Sequence, residues 1–194
     1  LQLIIWAANA AGLGSSWREL AANGLATPFE LRQIERNEAL LLLIRARLHA
    51  IAGRREDRLV FDLQTAVAES FGYRSIAPDG QRLAMRASET LMRRYYWAAK
   101  AVTQRSQILL LGIEERLNPS THELRPINAR FFDKAGLIEV ASDDLYERHP
   151  HAILETFLLY QSSPALKDLS ARTLRALYNA RGLMDAGFRR YPAN

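Results

Sequence analysis

Residues 52–64, AGRREDRLVFDLQ, set three arginines, Arg54, Arg55 and Arg58, among three carboxylates, Glu56, Asp57 and Asp62. Guanidinium groups grip anions through charge-assisted hydrogen bonds. The segment therefore reads as a phosphate-binding loop, a surface turn, or the hinge between two helices. A second cluster, MRRYYWAAK (residues 92–100), interleaves Arg93, Arg94 and Lys100 with Tyr95, Tyr96 and Trp97. Cations beside stackable rings are what nucleotides and nucleic acids need. A third places His149 and His151 on either side of Pro150, with Asp143 and Asp144 nearby, donor types able to ligate a metal.

Each cluster also has a plainer reading. In the first, Arg58 pairs with Asp62 and Asp57 caps the following helix, which leaves a solvated turn. In the second, the aromatics are core and the arginines solvated, a reading favoured by the place of Tyr95 on an apolar stripe. In the third, Pro150 keeps the two histidines off a common helix face and the aspartates start a helix, so no metal site is expected. His49 reads as structural, and Arg172, Arg175, Arg189 and Arg190 as surface charge. No glycine-rich phosphate loop of the dinucleotide or Walker type occurs. No Ser/His/Asp arrangement can be assembled, so no catalytic residue is assigned.

The elements that would position these groups are mostly helical. LQLIIWAANAAG reads as a helix stopped at Gly12, and SSWRELAANG as a short helix capped by Ser15 or Ser16 and ended by Gly24. Thr27, Pro28 and Glu30 form a strong start signal, with a capping box and proline at the first helical position. The helix that follows is expected to run to Ala52, stopped by Gly53. Its centre, Leu40 to Ile44, is apolar all round and reads as buried. The next helix is expected from Asp57 or Arg58, with Leu59, Leu63, Val67 and Phe71 inward and Arg58, Asp62, Thr65 and Glu69 outward. After a loop at GYRSIAPDG, a long helix is expected from about Gln81 to Leu117. Leu91, Tyr95, Ala98, Val102, Leu109 and Ile113 form its inner stripe, Arg86, Glu89, Arg93 and Lys100 a charged one, and Glu89 pairs with Arg93. Prolines 119 and 126 break the pattern. INARFFDKAGLIEVAS reads as a β-hairpin turning at Gly136. Helix returns at residues 143–161, interrupted at Pro150, and Ser170 caps a last helix. The expected fold is mainly α, a helical bundle with long helices and one small inserted β-hairpin.

The chain has 194 residues, enough to bury a sizeable core. Having no cysteine, it can form neither disulfides nor thiolate sites, and a reducing cytoplasm is allowed. Its 26 basic and 21 acidic residues leave a net +5, a weak bias towards anionic partners. Arginines interrupt every apolar run well short of the ~20 residues that span a bilayer, so no membrane partner is expected. The first residue is not methionine and RRYPAN is not an obvious terminus, so the chain reads as a piece of a longer protein.

Five stretches in order, LQLIIW, AGRREDRLVFDLQTAVAESFGY, LMRRYYWAAKAV, INARFFDKAGLIEV and LSARTLRALYNAR, resemble the bacterial PII uridylyltransferase/uridylyl-removing family. The resemblance covers nearly the whole chain and is to the segment between the nucleotidyltransferase and HD hydrolase domains. It implies one helical linker or substrate-side domain over 1–194, with 1–26 as the tail of the preceding nucleotidyltransferase domain. In that family the whole enzyme moves UMP from UTP to the PII signal protein and removes it again in response to glutamine. Its metal-binding aspartates lie upstream and its HD motif downstream, and neither occurs here. The implied cofactor is Mg²⁺ for the parent and none in this span. The implied partners are the flanking domains, PII and UTP, in the cytoplasm, and nucleic acid is not expected. The resemblance also implies that Arg54, Arg55 and Arg58 can face the nucleotide or acceptor cleft; from the residues of their own cluster, Arg93 and Arg94 are candidates for partner contact. A scaffold that only spaces two active sites stays open. So does a different class, a non-enzymatic basic helical module binding nucleic acid or an acidic protein.

Overall fold

The computed structural model describes residues 2–77, 79–119 and 123–190. Pro78 of the first expected loop and residues 120–122 of the second lie outside them. The chain is mainly α with a small sheet, and divides into two compact units, Leu1–Trp6 with Gly14–Gln107, and Ala7–Leu13 with Ile108–Asn194.

Local chemistry sets the ends of the first five helices. Helix α1 spans Gln2–Ala10, and α2 spans Trp17–Ala22, where Ser16 Oγ accepts the Glu19 N–H. Helix α3 runs Pro28–Ala52 between a full capping box and Gly53. At its start, Thr27 Oγ1 accepts the Glu30 N–H at 3.2 Å and Glu30 Oε2 accepts the Thr27 N–H at 2.7 Å. At its end, Gly53 takes φ +65°, the left-handed conformation that costs glycine least. Helix α4 spans Phe61–Ser70 and α5 spans Ala87–Leu117, passing into the second unit. Ile44, Leu48, Val67, Ala68, Ala87 and Leu91 are buried together, with Leu40, Leu59, Leu63, Phe71, Tyr73 and Tyr95 packed on them.

Five expectations are corrected here. Helix α4 starts at Phe61 rather than at residue 57 or 58, because Asp57 is drawn to α3 and caps nothing; Val60 takes the cap position without a side-chain bond. Helix α5 starts at Ala87 rather than Gln81. Ser75 and Ala77 pair with Leu83 and Gln81 through the Ala77 N–H to Gln81 O and Leu83 N–H to Ser75 O bonds, and the Ala87 N–H goes to Ser75 Oγ. Glu89 accepts the Arg86 N–H, and a Glu89–Arg93 pair is not among the ion pairs of the described residues. The centre of α3 is buried on one side only: Ile44 is in the core, but Leu42 and Leu43 are exposed. Tyr95 is half-buried as its stripe requires, whereas Tyr96 and Trp97 are exposed rather than core.

The second unit adds two short strands to the expected hairpin. Strands β1 (Arg125–Pro126), β2 (Phe131–Lys134), β3 (Leu137–Val140) and β4 (Asp168–Leu169) lie in that order, β3–β4 parallel and the other pairs antiparallel. Helix α6 (Leu145–Arg148) and α7 (Ala152–Ser162) are separated by His149-Pro150-His151, the break expected at the proline. Helix α8 (Ala171–Ala180) is capped by Ser170, and α9 covers Ala186–Arg190. Phe131, Ile138, Val140, Leu145, Tyr146 and Ile153 form its core. Buried Thr173 fastens α8 to β3, donating to Ile138 O at 2.8 Å and accepting the Val140 N–H at 3.0 Å. Glu115 at the end of α5 holds Lys134 Nζ at 2.8 Å and the Ala171 N–H at 2.7 Å, so one carboxylate ties α5, β2 and the start of α8.

Candidate functional site

The arginine turn is built from the end of α3. Gly53 lets the chain leave the helix, and the next seven residues run without helical structure to α4. The carboxylates inside this segment organise it. Asp57 Oδ1 accepts from Arg45 Nε at 2.7 Å and lies 3.3 Å from His49 Nε2, while Oδ2 lies 3.3 Å from Arg55 Nε. Glu56 Oε2 meets Arg54 Nη2 at 3.1 Å, and Oε1 accepts the Arg58 N–H at 3.0 Å. The Arg45 hydrogen bond, followed by that of His49, pulls the Asp57 carboxyl from 3.8 down to about 2.

Arg54, Arg55 and Arg58 are thus brought together on the surface, but unequally. Arg54 and Arg55 are each tied to a carboxylate two residues on. Arg58 has no side-chain ion pair among the described residues, so the alternative pairing with Asp62 is absent there. Sequence reasoning missed Arg45 as part of the site and read His49 only as structural. Their four-residue spacing over the last turns of α3, beside an acidic turn, was the available signal.

The other candidates stand apart from this cluster. Arg94 donates to Tyr73 Oη, and its guanidinium lies 5.7 Å from that ring's centre. Arg93 Nη1 is 3.9 Å from Met85 Sδ. In the second unit, Arg172 is not simple surface charge. It bonds Asp143 Oδ1 at 2.6 Å, sits 3.5 Å from Glu139 Oε1 and donates to Val140 O at 3.3 Å. Asp144 pairs with Arg148 at 2.9 Å, so both aspartates near the histidines are held by arginines. Mg²⁺ needs an octahedral set of oxygen ligands. Among the described residues no three His, Asp or Glu side chains converge on a point that could hold such an ion.

Residues 1–110 match the family described as GlnD PII-uridylyltransferase. The chain belongs to that family. Residues 131–194 match a second description, the uridylyltransferase GlnD third domain. All the candidate arginines 54, 55, 58, 93 and 94 fall in the first GlnD match. The bifunctional uridylyltransferase/uridylyl-removing enzyme of Cupriavidus metallidurans is 60% identical over the whole chain, and that of Burkholderia thailandensis 58%. The chain spans 22% of the length of these curated relatives. No solved structure matches. Among the described residues no helix is long and apolar enough to cross a membrane.

Proposed function

We propose that this chain is the helical, non-catalytic part of a cytoplasmic bifunctional enzyme that transfers UMP from UTP to the PII signal protein and removes it by hydrolysis. Its nucleotidyltransferase and HD domains, and the Mg²⁺ ligands, belong to the rest of the parent protein. In this reading 1–194 act as one linker or substrate-side domain that closes or braces the nucleotide/PII cleft. The observation that supports it is the exposed turn at Arg54, Arg55 and Arg58, where carboxylates pair with two of the guanidiniums and leave the third available to a phosphate. Replacing all three by Ala in the parent is expected to lower UMP transfer while UMP removal, at a separate site, suffers less. The 194-residue chain alone is expected to do neither reaction, since in-line phosphoryl transfer needs metal-binding carboxylates. Turnover by the chain alone would overturn the assignment.

A second reading, a basic module for nucleic acid, is favoured by one observation: Tyr96 and Trp97 are 64% and 67% exposed beside exposed Arg93. Binding to single-stranded DNA that persists at physiological salt and falls on Trp97→Ala would support it. Binding that vanishes on adding salt would not.

A further inference from the structure

One face of α3 is apolar, continuous and bare. Ala39, Leu42, Leu43, Ala46 and Ala50 follow the spacing of a single helix face, and all five are exposed, Leu42 by 56% and Leu43 by 45%. The opposite side of the same helix puts Ile34, Ile44 and Leu48 in the interior. Alanines at both ends allow another backbone to come close, and the two leucines between them are ridges that fit the grooves of a second helix. The stripe begins just past the exposed Arg36 and ends at Gly53, where the arginine turn starts.

We propose that this face of α3 is a docking surface for an apolar-faced helix supplied by the parent enzyme from outside these 194 residues. The proposal rests on the reading of the chain as one part of a bifunctional uridylyltransferase. The chain spans 22% of its relatives, so more than three quarters of a relative's length is available to cover the stripe. A second copy has no such advantage. In antiparallel self-pairing about Leu42 and Leu43 the rim arginines are already engaged, Arg45 by Asp57 and Arg47 by Ser70 O and the Phe71 ring, so they supply no charge attraction between copies. A helix lying along the stripe reaches Gly53 and brings its own end to Arg54, Arg55 and Arg58. Docking and anion recognition then share one partner segment.

The test uses the full-length parent enzyme with a benzophenone amino acid in place of Leu42, and separately in place of Ala46, with exposed Glu69 on α4 as the control position. After irradiation, the expected product runs at monomer mass, and its crosslinked peptide maps outside residues 1–194. Crosslinks to a second chain, to residues 108–190 of the same chain, or no more crosslinking than at position 69 would each overturn the proposal. The readout does not depend on UMP transfer, so it fails separately from the arginine reading. Should the position 42 variant not fold, the variant at exposed position 46 decides.

Discussion

Glu30 and Arg105, 75 residues apart, form a buried ion pair at 2.7 Å with side chains 2% and 6% exposed. The same carboxylate closes the capping box by accepting the Thr27 N–H on its other oxygen. One residue thus starts α3 and ties it to the middle of α5. Glu30→Gln keeps an acceptor at the cap but takes the negative charge out of a buried ion pair, and breaking such a pair costs roughly 3–5 kcal/mol. Thr27→Ala removes only a cap, worth about 1 kcal/mol. Urea unfolding is expected to rank them in that order. Arg105→Met added to Glu30→Gln is expected to recover part of the loss, and a strictly additive double variant would refute the coupling.

The hairpin turn between β2 and β3 holds both of its residues at positive φ, Ala135 at +56° and Gly136 at +88°. A two-residue turn of this kind prefers Asn-Gly. Ala135→Asn is therefore expected to stabilise the chain by about 0.5–1 kcal/mol, because alanine is strained there. Gly136→Ala is expected to destabilise, since its Cβ would also stand 3.3 Å from Ala165 O. Thermal melts that move both variants the same way would contradict this.

What could be read from the sequence was local. Thr27, Pro28 and Glu30 announce α3, Gly53 ends it, Ser16 and Ser170 cap their helices, and Gly136 marks the hairpin, because each signal acts within four residues. What could not be read was decided at a distance. The start of α4 moved because Asp57 answers to Arg45 and His49 on α3 instead of capping. Strands β1 and β4, two residues each, are too short to carry an alternating pattern. Arg172 is engaged by residues 29 to 33 positions away along the chain. Leu40 to Ile44 read as buried because composition alone does not tell which side of a helix has a neighbour. At the candidate site the three arginines were plain from spacing, but their unequal pairing with Glu56 and Asp57 depended on the path of the turn.

Asp57 makes acid stability a probe of the turn. Its folded-state pKa, about 2, lies below the ordinary 3.8, chiefly through the Arg45 hydrogen bond. A depressed carboxyl contributes stability that is complete above its unfolded pKa and is lost as pH falls through the folded one. The contribution should therefore disappear between about pH 4 and pH 2. The group is exposed, so added salt should shrink the effect. In thermal melts across that window, Asp57→Asn is expected to show a shallower loss on acidification than the parent sequence. An identical slope would mean that Arg45 and His49 do not hold this carboxylate in solution.

The unequal pairing of the three arginines gives an ordering for function. An incoming phosphate must displace Glu56 to reach Arg54 and Asp57 to reach Arg55. It displaces no carboxylate at Arg58, whose backbone N–H, not its guanidinium, is held by Glu56. Arg58→Ala in the full-length enzyme is therefore expected to lower kcat/KM for UMP transfer more than Arg54→Ala or Arg55→Ala. A charge-assisted hydrogen bond contributes roughly 1.5–3 kcal/mol, so the loss at Arg58 should be about ten- to a hundred-fold. Arg58→Lys should recover only part of it, because a lysine lacks the planar fork. UMP removal should change less in all three, and melting temperatures should barely move, since exposed guanidiniums add little to stability. The measurement pairs transfer and removal kinetics of the parent with its thermal melts. If the three alanine variants melt normally and transfer UMP at the wild-type rate, the segment is a solvated turn and the proposed cleft contact is wrong. If Arg54 or Arg55 proves the more sensitive, the carboxylates are acting as guides that hand their arginines to the substrate rather than as competitors for them.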